Sequence, residues 1–317
     1  MEDLFQNAGD LSISINNCQQ ASITGQSFLF HKPSFAYRNP DINTFQICLN
    51  IKGVTVAGIN INLIGQIAQS QYRSPFGSVW KLGELTNEPL DFLIKRILSW
   101  CKKEKISDFF IRDYPFCYDP QSSVLLSNSL TTNGFQKEAV EINQHIEVDR
   151  TDFIRKIIKF EQKKLRKCKR EGFTFRICTQ ESLKEAYGLI SSVRKQKNYP
   201  VTMEYFDLKK MFEKYPDNYM LFAVYNHDQM IATSVSIKVN DKILYNFYHG
   251  HDTKFNHFSP ILLVLEGIYS YCLKYSIEII DLGISSIHSK VNPGLYQFKK
   301  NIGALESPKI TFTKKIK

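Results

Sequence analysis

The sequence predicts a mixed α/β fold, of the α+β type, built as two related domains. In the second half of the chain, periodicity gives the order strand, two helices, three strands, helix, strand, short helix, strand. The end of this order recurs in the first half. Two pairs of segments also align, "SWCKKEKISDFFIRD" from Ser99 with "SYCLKYSIEIIDLG" from Ser270, and "TTNGF" from Thr131 with "KKNIGA" from Lys299. We infer a duplication.

The first domain is predicted to span residues 1–150 and to lack the paired helices that open the second. Apolar alternation indicates its strands, and apolar residues at helical spacing indicate its helices. The predicted strands are residues 44–51, 54–61, 107–116 and 140–148, and the predicted helices are residues 90–106 and 123–135. We expect this reduced domain to support the second domain rather than to carry a complete active site.

A basic helix over residues 150–173 joins the domains and is counted with the second, residues 151–317. Gly172 suits the end of this helix. One side of the helix is predicted to be apolar and to comprise Ile154, Ile157, Ile158, Leu165 and Cys168.

The rest of the second domain alternates strands and helices. The predicted strands are residues 173–177, 221–226, 230–239, 243–250, 277–283 and 309–313, and the predicted helices are residues 181–196, 206–216, 259–276 and 294–300. Short turn-like segments join the three strands of residues 221–250, which predicts an antiparallel meander. Ser259 and Pro260 are typical of the cap and first position of a helix.

The composition favours a reduced, cytoplasmic protein with anionic partners. The 317 residues carry a net charge of +10 and include seven cysteines, none in a C-x-x-C pair, which disfavours a disulfide framework or zinc cluster. No apolar run reaches the roughly 20 residues that span a bilayer, and the chain begins with acidic residues, so we predict no membrane span. The basic run at residues 159–172 suits phosphorylated carriers, nucleic acid or an acidic surface, and it also fits a solvated helix face.

The element order and several segments together resemble the FemAB-like proteins, which are tandem GNAT-fold (GCN5-related N-acetyltransferase) acyltransferases. The resemblance covers about the whole chain and is strongest from Lys163 to Ala304. The segments that carry it are "KKLRKCKREGF", "ISSVRKQKNYP", "LFAVYNHDQMIATSVSIKVNDKILYNFYHG", "SPILLVLEGI", "IIDLG" and "GLYQFKKNIGA".

This resemblance implies two GNAT-like domains and transfer of an acyl or aminoacyl group to an amine. The carrier would be a coenzyme A thioester or a charged tRNA. The resemblance also implies that strands 243–250 and 277–283 separate and hold the carrier between them. Many acetyl-coenzyme A enzymes of the superfamily have a glycine loop before the next helix, where this chain has "HGHDTKFNHFSP".

Acyl transfer to an amine needs a neutral amine, a stabilised oxyanion and a proton for the leaving group. We predict Tyr248 as the acid, His249 as the base and Asp281 as a carboxylate that orients or deprotonates the amine. The first two also fit a strand-end aromatic and a surface imidazole, and Asp281 also fits a loop cap. Because His249, His251 and His257 lack neighbouring cysteines or a tight set of carboxylates, no metal is expected.

The start of the helix at residues 259–276 is the predicted carrier site, since free backbone N–H groups there can bind a phosphate or carbonyl oxygen. An ordinary capped helix start explains the same pattern. The residues predicted to bind the carrier are Asn256, His257, Phe258 and Ser259, together with Tyr296 at the acyl pocket and Lys299, which would reach carrier phosphates or backbone. Packing alone also explains Tyr296.

The acceptor would be bound by Arg194, Asn198 and Tyr199, at the junction of the paired helices. Generic polarity at a helix end fits these residues equally well.

The leading hypothesis is an N-acyltransferase that uses acyl-coenzyme A or acetyl-coenzyme A as co-substrate. Its acceptor would be an amine of a small molecule, amino sugar or cell-envelope precursor. Two alternatives stay open, a tRNA-dependent aminoacyl transferase and a non-catalytic module that binds nucleic acid or an acidic partner. The basic helix suits tRNA phosphates but lacks the interleaved aromatics of a single-strand stacking platform.

Overall fold

The structure is a computed structural model that describes residues 10–17, 28–36, 42–70, 72–196 and 199–317. The chain forms two compact units, and each includes a segment from the other half of the sequence. Unit 1 comprises Met1–Ile142, Ser286–Lys290 and Ser307–Lys317, and unit 2 comprises Asn143–Ser285 and Val291–Glu306.

Unit 1 is a sheet with helices. Its strands are β1 (Leu11–Asn17), β2 (Asn43–Ile51), β3 (Val54–Ile64), β4 (Ile67–Ser70), β5 (Trp80–Lys81), β6 (Asp108–Arg112), most of β7 (Gln136–Glu147) and most of β15 (Leu305–Lys315). Its helices are α1 (Pro33–Ala36), α2 (Asn87–Lys103) and α3 (Pro120–Thr132). The strands run in the order β1-β2-β3-β4-β6-β15, and β5 also pairs with β3. β4 and β6 are parallel, whereas the β1–β2, β2–β3, β3–β4 and β6–β15 pairs are antiparallel.

Unit 2 repeats this plan with more helices. Its elements are α4 (Phe153–Lys156), α5 (Lys159–Arg170), β8 (Thr174–Cys178), α6 (Leu183–Gln196), α7 (Tyr205–Lys214), β9 (Tyr219–Asn226), β10 (Gln229–Asn240), β11 (Ile243–His251), α8 (Ile261–Lys274), β12 (Ile279–Ile284) and α9 (Pro293–Asn301). A two-residue strand pair, β13 (Ser286–Ile287) and β14 (Lys290–Val291), lies between β12 and α9 in sequence. The strand order is β7-β12-β11-β10-β9-β8, and β11 and β12 form the parallel pair.

Each unit has its own apolar core. In unit 1, Leu93, Ile97 and Trp100 of α2 pack with inward residues of the sheet. In unit 2, α8 is buried on nearly all sides, so its residues Ile261–Leu265 read as a continuous apolar run. The predicted mixed α/β fold class is confirmed, and the meander of β9, β10 and β11 is antiparallel as predicted.

Two sequence expectations about the helices are wrong. The basic helix is broken between α4 and α5, where Ile157 has extended backbone, and Ile158 is 44% exposed instead of lying on the apolar side. Ser259 does not cap α8, because its φ is +57° and the N-cap position belongs to Pro260.

The sequence reading also omitted three strands of unit 1, namely β1, β4 and β5. The first alternates Leu11, Ile13 and Ile15 with polar residues and was therefore within reach of the sequence. The other two are four and two residues long, which is too short for a period to register. Within the described ranges, no helix is long and apolar enough to cross a membrane.

Two glycines with positive φ offer a matched test of packing in unit 2. At Gly303 (φ +81°) an added Cβ would lie 2.6 Å from the carbonyl oxygen of Lys156, whereas at Gly172 (φ +76°) it would meet nothing within 4 Å. Gly172→Ala should therefore lower the free energy of unfolding by about 1–2 kcal/mol through backbone strain alone. Gly303→Ala should cost a further 1–3 kcal/mol, roughly, because backbone must move. Urea unfolding checks this difference, and equal losses would contradict the packing argument.

Candidate functional site

A cleft opens in unit 2 where two parallel strands separate. Among the described residues, β11 and β12 pair over a short stretch, with Ile243 opposite Ile279, Leu244 opposite Ile280 and Tyr245 opposite Asp281. Beyond this stretch β11 follows β10, while β12 follows β7. The separation implied by the family resemblance is therefore present in the structure.

Side chains replace the pairing that β12 loses at the separation. The ammonium of Lys299 in α9 donates to the carbonyl oxygens of Gly283 at 2.8 Å and Ile284 at 3.0 Å. The carboxylate of Asp281 accepts from the backbone N–H of Gly283 at 2.7 Å. Because a buried, unpaired backbone group costs about 1–3 kcal/mol, these two buried side chains stabilise the separated strand end.

A row of polar side chains crosses three strands at this point. Tyr245, Asp281 and His145 are opposite one another in register, so their side chains lie on one face of the sheet. Asn143, two residues before His145, donates its amide to the Asp281 carboxylate at 2.8 Å. Within the described part of the chain, His145 Nδ1 and Asn143 Oδ1 are buried without a hydrogen-bond partner.

Burial shifts the pKa of several groups around Asp281. Burial lowers the pKa of Lys299 to about 8, and the charge of Asp281 acts in the opposite direction. Burial also lowers the pKa of His145, against the charges of Asp281 and Glu147. Burial, followed by Asp281 and Tyr248, raises the pKa of Tyr245. The Tyr245 phenol therefore keeps its proton at neutral pH and can donate it to a hydrogen bond.

A β-bulge carries Tyr248 to the face of Tyr245. In the pairing of β10 with β11, Tyr248 is opposite Val235, but Ser236 is already opposite Asn246, so β11 holds one extra residue. Strand residues alternate between faces, and positions 245 and 248 would otherwise point to opposite sides. The extra residue shifts this alternation by one.

The surroundings of Tyr248 link the cleft to the paired helices. Its ring is 3% exposed, and its hydroxyl lies 2.5 Å from Thr202 Oγ1 in the segment between α6 and α7. The guanidinium of Arg194 at the end of α6 lies 5.1 Å from the centroid of the Tyr248 ring. Arg194 also donates from Nε to the carbonyl oxygen of Pro200 at 2.9 Å. The structure thus holds this arginine at the tyrosine.

Of the three predicted catalytic residues, the structure brings two together. Tyr248 and Asp281 both act on the pKa of Tyr245, which lies between them on the same face. His249 is half-buried and follows Tyr248 directly on β11, so strand alternation directs it to the other face.

The predicted carrier residues at the start of α8 form a compact turn. Asn256 and His257 are exposed, and the Phe258 ring packs on Phe173 at 5.1 Å between centroids. The backbone N–H groups in this turn already donate to nearby carbonyls; they belong to Asn256, Phe258, Ser259, Leu262, Leu263 and Val264. A helix start binds phosphate through free N–H groups, which this one has largely used internally.

The other predicted binding residues are distributed around α9. Lys299 is buried and bonded to backbone, and the Tyr296 hydroxyl donates to the carboxylate of Glu306. The Tyr199 hydroxyl accepts from the amide of Asn292, the N-cap residue of α9, at 2.8 Å. Asn198 lies outside the described residues.

Sequence reasoning missed Tyr245, Asn143, His145 and Thr202. The first was within reach, because it is the residue that pairs with Asp281 once β11 and β12 are aligned. A weaker signal marks the second and third, since "NQH" is a polar run inside the apolar alternation of β7. Thr202 carries no pattern that would distinguish it from other exposed loop residues.

Comparison with known proteins follows this geometry. Residues 221–310, which include β11, β12 and α9, match the model of the FemAB family. This part of the chain is similar to the FemAB family. A search of curated protein sequences gave no match.

Three solved structures share the fold of this chain at low sequence identity. FemX has a TM-score of 0.66 and 13% identity, over 86% of this chain and 88% of FemX. A tandem GNAT protein from the clavulanic acid biosynthesis pathway has a TM-score of 0.56 and 9% identity, over 97% and 99%. The C-terminal domain of a putative lysylphosphatidylglycerol synthetase from Agrobacterium fabrum has a TM-score of 0.54 and 10% identity, over 81% of each chain. The tandem GNAT fold is confirmed.

The buried Lys299 gives the site a pH signature. Its pKa is lowered from 10.5 to about 8 in the folded protein, so between these values the unfolded chain binds more protons and stability rises with pH. The free energy of unfolding of the wild type, minus that of Lys299→Met, should rise by about 2 kcal/mol from pH 7 to pH 9.5. Urea unfolding at both pH values measures it.

Lys300→Met is the matched control, because Lys300 is the exposed neighbour of Lys299 on the same helix. Its difference from the wild type should stay constant over this pH range. A constant difference for Lys299→Met as well would contradict the proposed burial of that ammonium.

Proposed function

We propose that this chain transfers an aminoacyl group from a charged tRNA to an amine of a cell-envelope precursor. The observation that carries the proposal is the separation of β11 and β12, with Tyr245, Tyr248 and Asp281 gathered beside it. This region lies inside residues 221–310, which match the FemAB family.

The chemistry asks for a hydrogen-bond donor to the developing oxyanion and a proton for the leaving oxygen. Tyr245 and Tyr248 would serve as these donors, because both phenols lie on one face of β11 beside the strand separation. Asp281 would orient the attacking amine and accept its proton. As the amine nitrogen bonds to the acyl carbon, the ester bond to the tRNA breaks and its oxygen takes up a proton.

The choice of tRNA over coenzyme A rests on the start of α8. Its N–H groups donate to carbonyl oxygens of residues 253–260, so few remain for a pyrophosphate. The neighbouring helix α5 is rich in lysine and arginine. It lies beside the start of α8, because Cys168 contacts the carbonyl oxygen of Phe258 at 3.1 Å and Lys167 lies 4.4 Å from the Phe258 ring centroid. Such a surface suits a long polyanion better than one coenzyme.

The acceptor side is proposed to be the segment between α6 and α7. Arg194 and Tyr199 are held there by contacts to Pro200 and Asn292. Arg194 lies over the Tyr248 ring of β11, and Asn292 is the N-cap residue of α9, so both residues lie near the strand separation. A positively charged, hydrogen-bonding rim suits an acceptor with a carboxylate or phosphate beside its amine. The structural neighbour from Agrobacterium fabrum is a domain of a putative lysylphosphatidylglycerol synthetase, which agrees with an acceptor from the cell envelope.

The test compares carriers and two variants. The purified protein should transfer labelled amino acid from aminoacyl-tRNA to an extract of cell-envelope precursors, and it should not use acetyl-coenzyme A. Tyr248→Phe should lower kcat by about 10²–10³-fold, because it removes a donor to the oxyanion. Asp281→Asn should also lower kcat, whereas Asp228→Asn, at an exposed turn between β9 and β10, should leave it unchanged.

If the protein used acetyl-coenzyme A and not aminoacyl-tRNA, the carrier would be the thioester and the proposed tRNA carrier would be wrong. An unchanged kcat for Tyr248→Phe would remove the proposed role of this hydroxyl. Circular dichroism of each variant establishes that the fold is intact before kcat is compared.

A further inference from the structure

Four cations form a stripe along α5 in unit 2. Lys159, Lys163, Arg166 and Arg170 are spaced at i, i+4, i+7 and i+11, which places them on one face of the helix. All four are exposed. With a rise of 1.5 Å per residue, the stripe is about 16 Å long. We call these four residues the cation stripe.

The stripe is left without acidic partners, while its neighbours are paired. In the part of the chain that the structure describes, none of the four stripe cations forms an ion pair within 4.0 Å. The ion pairs of α5 involve two other lysines, Lys164 with Glu161 and Lys169 with Glu266. Like charges at i, i+4 destabilise a helix by about 0.2–0.5 kcal/mol per pair. An anionic partner would remove this repulsion.

The helix that carries the stripe packs beside the start of α8. The C-terminal half of α5 touches the start of α8, because the Cys168 thiol donates to the carbonyl oxygen of Phe258 at 3.1 Å. Lys167, half-buried beside the stripe, lies over the Phe258 ring. A linear polyanion that runs along α5 would therefore arrive beside α8 in the same unit.

We propose that the cation stripe binds the phosphate backbone of the tRNA that carries the aminoacyl group. The identity of the RNA rests on the proposed function, while the polyanion site rests on α5 itself. A line of evenly spaced charges complements a line of phosphates, and electrostatic contacts of this kind position a nucleic acid without reading its sequence.

A membrane surface fits the helix less well. An interfacial helix needs an apolar face to insert, but the apolar face of α5 is inside unit 2, where Leu165 and Cys168 are 0% exposed. The exposed apolar side chains near the stripe are Phe160 at 60% and Ile158 at 44%, at the start of the helix. These two residues are too few to anchor the helix, so the charges carry the binding.

Salt dependence provides the test. Fluorescence anisotropy with labelled, uncharged tRNA should give a plot of log K against log[KCl] with a slope of about −3 to −4, since four phosphate contacts release about 0.7–0.9 counterions each. Lys163→Gln/Arg166→Gln should reduce the magnitude of the slope by about 2 and weaken binding for all tRNA sequences alike.

Two control variants locate the effect. Lys184→Gln/Lys210→Gln removes the same charge from exposed positions on α6 and α7, and it should leave the slope unchanged. Lys102→Gln/Lys315→Gln alters a groove of about 910 Å³ in unit 1, which is also lined by lysines. If the groove variant lowers the slope and the stripe variant does not, the proposal is overturned.

A vesicle control separates RNA from lipid. Vesicles of phosphatidylglycerol and phosphatidylcholine should bind weakly, with no difference between the wild type and the stripe variant. Vesicle binding that the stripe variant loses, together with no binding of tRNA, would overturn the proposal in favour of a membrane contact.

The outcomes for this site and for the proposed function are distinguishable. In the transfer assay, the stripe variant should raise KM for aminoacyl-tRNA by at least about tenfold with kcat retained, since its residues lie outside the catalytic cluster. Binding of tRNA with the expected slope but no transfer would support the stripe and refute the proposed function. Transfer from a coenzyme A thioester without tRNA binding would refute the proposed role of the cation stripe.

Discussion

Two strands that separate inside a protein leave backbone groups without partners, and the candidate site depends on how this chain satisfies them. Lys299 takes the carbonyl oxygens of Gly283 and Ile284, and Asp281 takes the N–H of Gly283. One cation and one anion thus make hydrogen bonds that a neighbouring strand would otherwise make to β12. Asp281 also acts on its neighbours: after burial, its charge raises the pKa of Tyr245, and it opposes the lowering of the Lys299 pKa by burial.

The remaining contacts connect this point to the helices of unit 2. The bulge in β11 turns Tyr248 towards Tyr245, and Thr202 and Arg194 then tie Tyr248 to the segment after α6. Tyr199 ties the same segment to α9, which carries Lys299. Hydrogen bonds and one cation–π contact therefore join β11 and α9 to the segment between α6 and α7.

Most of the fold could be predicted from the sequence, because long helices and strands such as α2, α8 and β10 have clear apolar periods. Tyr248 was predicted as a site residue, but the face of the sheet on which it lies could not be predicted. One extra residue in a bulge changes the face of every later residue and leaves no sequence mark. Asn143 and His145 were not predicted as site residues for a different reason. They lie far from Asp281 in sequence, and strand pairing alone brings them beside it.

Unit 1 includes two segments from the distant half of the chain, and this affects how the protein is made. Unit 1 needs residues 307–317 to cover β6, yet these are synthesised about 200 residues after β6 itself. At a typical rate of roughly 5–20 residues per second, the edge of that sheet stays open for about ten seconds or more during synthesis. An open strand edge is a site for wrong pairing. The polar residues on β6, Asp108 and Arg112 at its two ends, stand at this temporary edge, where charge discourages association with another growing chain.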